Sequence, residues 1–323
     1  MIDDPVLTDD WLVVGQSEDL KEGDIQAVRL LGQDLVLWRV NSQVLAWQDL
    51  CVHRGVRLSL GKVVGGDKLE CPYHGWTYNT KGQCIKMPAH PEQTPSEKAH
   101  VKSYQVREQY NLLWVSLGEP EHDVPPLPEW DDTEFRKIPC GPYKLKANGP
   151  RIIENFLDIA HFPFVHEGIL GDRGQPEIED YEAEIGPDGV TSKGVRVYQP
   201  DPFGTGEGET VAYTYRAYRP LTACLTKESD GPRFSIFLTI TPHDILESTA
   251  WIWMAQNYGH DIPEDELIAY QDEIFAQDVP IVESQRPELL PLDLQAELHL
   301  RSDRTAIAYR KWLNELGLTF GAA

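Results

Sequence analysis

Two short loops, "CVHRG" and "CPYHGW", constrain this chain more than any other part of its sequence. Each loop brings together one cysteine and one histidine: Cys51 with His53 in the first, and Cys71 with His74 in the second. Thiolates and imidazoles are ligands of soft and borderline metals, and the glycine in each loop suits a tight turn. The pattern therefore predicts one metal site held between two facing hairpin loops.

The division of ligands between the loops separates two kinds of metal site. A zinc finger more often takes both cysteines from one loop and both histidines from the other, whereas each loop here supplies one of each. A Rieske-type [2Fe–2S] cluster has two cysteine ligands on one iron and two histidine ligands on the other. We therefore expect Cys51, His53, Cys71 and His74 to bind a Rieske cluster, with structural zinc as the alternative.

A second group of candidate ligands lies in "NFLDIAHFPFVHEG", residues 155–168. On a helix, Asp158 and His161 share a face, whereas His166, five residues beyond His161, does not. Pro163 lacks an N–H and disfavours helical geometry at the preceding residue, so we expect the helix to end or bulge there and His166 to swing back toward His161. The alternative is a core helix end whose histidines bond to backbone carbonyls.

Strand and turn patterns divide the chain into three parts. Residues 1–118 alternate short apolar runs with turn signals, which is typical of short antiparallel strands. Residues 119–135 are dense in proline and acidic residues and indicate a linker. In residues 136–323, longer runs with period-2 alternation indicate a sizeable antiparallel sheet flanked by helices. We predict an α+β chain with two domains.

The charge of the chain narrows its possible partners. The sequence has 29 Lys and Arg residues against 52 Asp and Glu residues, a formal net charge of −23. Such a field repels nucleic acids and anionic membranes, so neither is an expected partner. There is no leader-like segment and no run of about 18 apolar residues that could span a membrane. Because five cysteines are an odd number, we expect reduced thiols in a soluble, cytoplasmic protein.

The two Cys/His loops, followed by Asn155, Asp158, His161 and His166 in the spacing N-x2-D-x2-H-x4-H, resemble the α subunits of Rieske non-haem iron oxygenases. The resemblance covers nearly the whole chain. It implies an N-terminal all-β Rieske [2Fe–2S] domain followed by a helix-grip catalytic domain with a large antiparallel sheet. It also implies that His161 and His166 bind a mononuclear Fe(II) as two members of a 2-His-1-carboxylate triad.

The same resemblance places the third iron ligand in a late helix, just before a run like the one in "AQDVPIVESQ". Asp278 is the acid at that position, and Asp272 and Asp293 are the alternatives. Pro280, two residues further on, is expected to disturb the helix locally.

In the family that this chain resembles, the acid that matches Asp158 links two subunits. It bridges a cluster histidine of one subunit, here His74, and an iron histidine of its neighbour, here His161. This route implies a homotrimer, because a head-to-tail contact closes only as a ring. A solvated acid on a helix face is the alternative role of Asp158.

Oxygen chemistry at a single iron needs electrons from outside. The resemblance implies O2 as cosubstrate and NAD(P)H as electron source, through a ferredoxin and/or a flavin reductase. Histidine ligands raise the potential of a Rieske cluster to about −150 to +300 mV, against about −400 mV for a plant-type ferredoxin, so such a donor reduces the cluster downhill. Residues 51–90 also carry six basic side chains against two acidic ones, a patch toward which an acidic ferredoxin would be steered.

We therefore expect a monooxygenase that hydroxylates or oxidatively dealkylates a small molecule. The negative charge of the chain and the aromatic residues of its second half favour a polar cationic substrate, such as a saxitoxin-like guanidinium compound. The aromatic candidates for holding the cation are Trp251, Trp253, Tyr258 and Trp312, although core packing would also account for the tryptophans.

Three other functions remain open. An O-demethylase of a methoxylated aromatic acid would need a basic residue in its pocket, and cis-dihydroxylation of an aromatic ring is a further oxygenase reaction. The non-enzymatic alternative is a Rieske electron carrier, which would hold two iron atoms per chain instead of three. The arginine candidates for binding an acid are Arg151, Arg196, Arg216 and Arg219.

Overall fold

The computed structural model describes residues 4–228 and 231–323. The chain divides into two compact units, Met1–Val124 and Pro125–Ala323. The division falls inside the segment 119–135 that composition indicated as a linker. Strands dominate both units and helices are few, so the predicted α+β class is confirmed.

The first unit is built from short antiparallel strands. A six-stranded sheet has the order β1-β10-β9-β4-β3-β2, and a four-stranded sheet has the order β5-β6-β7-β8. A single helical turn, α1, spans Pro5–Thr8. The strands are β1 (Leu12–Gln16), β2 (Ile25–Leu30), β3 (Gln33–Val40), β4 (Gln43–Gln48), β5 (Lys62–Val64), β6 (Lys68–Glu70), β7 (Thr77–Asn79), β8 (Cys84–Lys86), β9 (Ser103–Gln109) and β10 (Leu112–Ser116).

The core of the first unit supports the two Cys/His loops. The first loop follows β4, and the second connects β6 to β7. Trp38, Trp47, Leu69 and Tyr78 are each at most 1% exposed and belong to the same buried cluster as Cys51 and Cys71. The loops therefore rest on a packed base, which limits how far the ligands can move apart.

The second unit is a seven-stranded antiparallel sheet with the order β11-β17-β16-β15-β14-β13-β12. The longer runs that indicated an antiparallel sheet fall in strands β13, β14, β16 and β17. Its strands are β11 (Arg136–Leu145), β12 (Glu182–Gly186), β13 (Gly189–Gln199), β14 (Glu209–Arg219), β15 (Thr222–Glu228), β16 (Phe234–Asp244) and β17 (Glu247–Gln256). Its helices are α2 (Gly149–Leu157), α3 (Phe162–Val165), α4 (Glu264–Ser284) and α5 (Arg304–Leu316).

The break between α2 and α3 is not where the sequence predicted it. Asp158 has an extended backbone, φ −88° and ψ 133°, so α2 ends at Leu157 and not at Pro163. Pro163 instead lies in the first turn of α3, where a missing N–H leaves no hydrogen bond unmade. The prediction of a break was right, but its position was wrong because a proline at a helix start was interpreted as a helix end.

Two long helices pack against the sheet of the second unit. Helix α4 contacts β11, and α5 contacts β12 and β13. Helix α4 continues through Pro280, where the sequence predicted a local disturbance. Helix α5 ends before Gly317, whose φ of 79° is the left-handed conformation that glycine adopts most easily. Within the described residues, none of the helices combines the length and the apolar character needed to cross a membrane.

Candidate cluster site and active site

The two Cys/His loops share one backbone pattern. In the first, the N–H of Gly55 donates to the carbonyl of Cys51 at 2.9 Å. In the second, the N–H of Gly75 donates to the carbonyl of Cys71 at 3.1 Å. Both glycines have positive φ, 70° and 66°, so each loop reverses direction through a backbone conformation that residues other than glycine rarely adopt. The common turn explains why the same residue types recur in two distant parts of the sequence.

The four predicted cluster ligands come together at the tips of these loops. Cys51 and Cys71 are each 2% exposed, and the rings of His53 and His74 lie 4.6 Å apart between centroids. His53 Nδ1 is buried and has no hydrogen-bond partner among the residues that the structure describes. A buried nitrogen without a partner is costly unless it binds something else, so this arrangement fits a metal cluster.

Neighbouring side chains hold the candidate cluster ligands in place. The Tyr78 hydroxyl lies 3.1 Å from Cys51 Sγ, and the His53 ring stacks on Trp76 with centroids 4.5 Å apart. Burial raises the pKa of the Cys71 thiol, so a nearby cation would be needed to hold it as a thiolate. Cys84 is also buried beside this group, but nothing in the structure gives it a role there.

The second predicted site is formed by three side chains from two helical segments. His161 Nε2 and His166 Nε2 are 3.2 Å apart. Asp278 Oδ1, from α4, lies 3.5 Å from the first nitrogen and 3.2 Å from the second. In the part of the chain that the structure describes, these three side chains form the group of His, Cys, Asp and Glu residues that lies close enough together to hold one metal ion.

The other nitrogen of each histidine has its own acceptor. His161 Nδ1 lies 2.9 Å from Asp158 Oδ2, and His166 Nδ1 lies 2.8 Å from Gln277 Oε1. These acceptors favour the proton on Nδ1, which leaves the lone pairs of both Nε2 atoms pointing at each other and at a carboxylate oxygen. Three converging acceptors repel one another unless a cation lies between them, so the residues fit a mononuclear metal.

The acid Asp278 also affects the protonation of this group. Burial alone would lower the pKa of His166, but the hydrogen bond to Asp278 and its charge outweigh burial and raise that pKa. The Asn155 amide donates to Asp278 Oδ1 at 3.4 Å. A positive charge is therefore favoured at the point where the three side chains meet.

The two alternative acids lie elsewhere. Asp272 accepts a hydrogen bond from the Tyr143 hydroxyl at 2.6 Å, and Asp293 accepts one from the N–H of Gln295 at 2.9 Å. Among the described residues, neither acid belongs to the group formed by His161, His166 and Asp278. Gln277 is the residue of this site that the sequence analysis missed, because a glutamine beside an acid on a helix carries no sequence signal of its own.

A cavity of about 430 Å³ opens onto the three side chains. It lies between helices α2, α3 and α4 and strands β14 to β17, and the loop after β13 also contributes to its wall. Eight phenylalanine and tyrosine residues line it, among them Phe156, Tyr213 and Tyr258. Such a volume and lining suit a small, flat, largely apolar ligand.

The cavity wall differs from the one that the sequence suggested. Of the aromatic residues proposed to hold a cation, Tyr258 lines the cavity, whereas the three tryptophans do not. None of the four candidate arginines is among the described lining residues, and Arg151 instead pairs with Glu297 at 2.8 Å. Among the lysines and arginines that the structure describes, the one in the wall is Lys227, which no sequence pattern singled out.

Comparison with known proteins identifies both halves of the chain. Residues 10–105 match the Rieske [2Fe-2S] domain, and residues 145–319 match the vanillate O-demethylase oxygenase C-terminal domain. The chain therefore belongs to the Rieske non-haem iron oxygenases and corresponds to their α subunit. Its cofactors are those of the family: a Rieske cluster and a mononuclear iron, with O2 and electrons from a reductase. A catalytic domain of this kind excludes the simple electron carrier.

Individual relatives cover most of the chain. Methylxanthine N1-demethylase NdmA of Pseudomonas putida is 33% identical over 90% of this chain and 82% of its own length. Methylxanthine N3-demethylase NdmB of the same organism is 31% identical over 90% and 83%. A solved structure of Pseudomonas putida CBB5 NdmA with caffeine has a TM-score of 0.84, with 29% identity over 96% of this chain and 91% of that one. These comparisons do not support the expected saxitoxin-like substrate, whereas the demethylase alternative fits them.

Proposed function

We propose that the protein is an oxidative demethylase that removes a methyl group from nitrogen or oxygen on a flat aromatic small molecule. The observation that carries the proposal is the position of His161, His166 and Asp278 in the wall of a cavity lined by aromatic rings. The demethylase relatives and the vanillate O-demethylase domain match support the same reaction type. A guanidinium substrate is not retained, because among the described residues a lysine lines the cavity and none of the tryptophans does.

The reaction balances with one O2 and two electrons. One C–H bond of the methyl group becomes C–OH, the second oxygen atom leaves as water with two protons, and the hydroxymethyl product breaks into formaldehyde and an N–H or O–H group. Iron bound by the two histidines and Asp278 would supply the position at which O2 is activated. Asp158 and Gln277 would keep both histidines in the tautomer that binds metal, and the aromatic wall would hold the ring and exclude water.

Electrons would enter through the cluster of the first unit, from NAD(P)H through a ferredoxin and/or a flavin reductase. Part of the basic patch of residues 51–90 suits such a partner, because Arg54, Lys81 and Lys86 are exposed. The other three basic residues are partly neutralised by acids of the same unit. Their ion pairs are Arg57 with Asp34, Lys62 with Glu70, and Lys68 with Asp67.

We propose a homotrimer in which Asp158 links His74 of one copy to His161 of the next. Exposure supports this arrangement: His74 is exposed, and the Asp158 side chain is 32% exposed although Oδ2 contacts His161 and Oδ1 accepts from the N–H of Ala160. Both groups are thus accessible to another chain. Sedimentation of the iron-loaded protein tests the trimer, and an active monomer would contradict it.

The test of the activity measures formaldehyde and the product mass together. The iron-loaded protein is supplied with NADH, a surrogate reductase and O2, and is offered caffeine and 3-methoxybenzoate in separate reactions. We expect formaldehyde in a one-to-one ratio with demethylated product from at least one compound. Asp278→Ala should abolish both signals, whereas Glu273→Ala, which removes an exposed acid of the same helix, should not. A product that gains one oxygen and keeps its methyl group would refute demethylation.

A further inference from the structure

Lys227 is a buried charge in the wall of the cavity. It lies on β15 and is 6% exposed. Its ammonium donates one hydrogen bond, to the carbonyl of Pro202 at 2.6 Å. Among the residues that the structure describes, its other two N–H groups have no acceptor within hydrogen-bond distance. A buried ammonium with one neutral acceptor is under-compensated, since such groups are normally paired with an opposite charge.

Aromatic rings surround the ammonium on several sides. Its nitrogen lies 5.0 Å from the centroid of Phe203, 5.4 Å from that of Phe234 and 5.9 Å from that of Tyr213. All three rings also line the cavity. Contacts of this kind stabilise a cation only in part, and because Lys227 itself lines the cavity, a ligand oxygen there could accept from its remaining N–H groups.

The nearest acidic groups do not complete the environment of Lys227. Asp201 and Glu209 favour the charged lysine through space, yet burial outweighs them and lowers the pKa of Lys227 to about 8. Asp201 Oδ1 instead accepts the N–H groups of Thr205 and Gly206, at 2.7 and 3.0 Å. This carboxylate holds the loop that carries Pro202. Among the residues that the structure describes, no acid makes a direct ion pair with Lys227, so its charge is available to a ligand in the cavity.

We propose that Lys227 determines substrate specificity by binding an anionic oxygen of the ligand, so that the preferred substrate is a methylated aromatic ring bearing a carboxylate. The inference rests on the proposed demethylase function and specifies its substrate class. A neutral ring carbonyl would accept a weaker hydrogen bond, whereas a carboxylate would both accept two N–H groups and supply the missing charge. The cavity of about 430 Å³ is large enough for a substituted single ring.

The positions of Lys227 and the candidate iron ligands also predict how the substrate is oriented in the cavity. Lys227 belongs to the sheet, whereas the three candidate iron ligands belong to the helical side of the same cavity. A ring bound by its carboxylate at the lysine would extend across the cavity toward the helices. The methyl group to be removed is then expected on the part of the ring that is distant from the carboxylate, with the aromatic side chains packed against both ring faces.

The experiment compares two probes of nearly the same shape, 3-methoxybenzoate and its neutral analogue 3-methoxybenzamide. Their affinities for the iron-loaded protein are measured by calorimetry under anaerobic conditions without a reductase, so that no turnover occurs. We expect the wild type to bind the anion at least about ten-fold more tightly, which corresponds to about 1.4 kcal/mol. Lys227→Met should remove this preference, and Lys227→Arg should retain most of it.

Two controls keep the result interpretable. Lys193→Met removes an exposed lysine from β13, which lies two strands away from β15 in the same sheet, and should leave the preference unchanged. If Lys227→Met does not fold, the two probes are compared on the wild type and on Lys227→Arg. A preference for the anion in both proteins would then support the role of Lys227, and equal affinities in the wild type would refute it. Equal affinity of the wild type for the two probes, weak binding of both, or a preference that survives Lys227→Met would overturn the inference.

Failure of the proposed function would look different. In that case the anion preference and its dependence on Lys227 would be observed, but no formaldehyde would form in the turnover assay. Conversely, formaldehyde from caffeine without any preference for the benzoate would support the demethylase and refute the role of Lys227.

Discussion

Removing the carboxylate of Glu154 should destabilise the second unit strongly. Arg310 donates from Nε to Glu154 Oε1 at 2.5 Å and from Nη2 to Oε2 at 2.8 Å, which ties α5 to α2. Glu297 accepts from Arg310 at 2.6 Å and from Arg151 at 2.8 Å, so two arginines and two glutamates form one neutral network. Both arginine side chains are 3% exposed and that of Glu154 is 11% exposed. Glu154→Ala would leave two buried positive charges facing a single carboxylate.

The size of the effect follows from that imbalance. Removing one partner of a buried ion pair costs about 3–5 kcal/mol because the remaining charge stays desolvated. For a unit of this size, each kcal/mol lowers the melting temperature by about 2–4 °C, so the loss should be about 6–20 °C. The double substitution Glu154→Met with Arg310→Met leaves Arg151 paired with Glu297, and should therefore cost less than Glu154→Ala alone.

Differential scanning calorimetry of the iron-loaded protein measures these shifts, with attention to the transition of the second unit. The matched control is Glu167→Ala, which breaks the pair between Glu167 and Arg173 at 2.6 Å, where both side chains are more than half exposed. That pair should contribute only about 0–1 kcal/mol. The reasoning is refuted if Glu154→Ala melts no lower than Glu167→Ala, or if the double substitution is the least stable of the variants.

Three further predictions concern the site. Asp158→Ala should keep both metal centres, measured as three iron atoms per chain, and lose at least about ten-fold in turnover; full activity would exclude its bridging role. A Cβ on Gly171 would lie 2.5 Å from the backbone of α3, so Gly171→Ala should lower iron occupancy at the mononuclear site, whereas Gly174→Ala should not; equal occupancy would show that α3 tolerates the shift. The pKa of Lys227 is lowered to about 8, so its charge is present below that pH and lost above it. Anion affinity should therefore fall between about pH 7 and pH 9 in the wild type and stay level in Lys227→Arg, whose guanidinium does not titrate there; equal pH profiles would contradict the assignment. Asp201, Glu209 and Tyr213 also face this lysine, and burial raises the pKa of Tyr213 well above that range.

The cluster loops could be predicted because everything that defines them is local. Cys51 and His53 are two residues apart, Cys71 and His74 are three apart, and each pair is followed by a glycine that permits the turn. Few backbone conformations are compatible with such short spacings. The motif therefore contains most of the geometry that the structure displays.

The segment that contains His161 and His166 was predicted less completely. The sequence indicated that a break would bring the two histidines together, and their Nε2 atoms are 3.2 Å apart. It misplaced that break, because Pro163 can either end a helix or begin one. Only the ψ of 133° at Asp158 shows that α2 has already ended.

Lys227 illustrates what could not be predicted. In the sequence it is one lysine in the strand segment "TACLTKE", and strand alternation alone does not say which face is covered. Its burial depends on the loop after β13 and on Phe234 of the next strand. The arginines proposed instead, such as Arg151, belong to a network elsewhere in the second unit.

By itself, the sequence determined the family to which the chain belongs and indicated two local groups of candidate ligands, because both depend on short spacings. Only the tertiary structure decided that Asp278 and Gln277 meet His166 and that Lys227 faces the same cavity. Those residues are separated by tens of positions or more along the chain. Their contacts form only when α3, α4 and β15 pack around one apolar space, and the energy of that packing is distributed over the whole sheet.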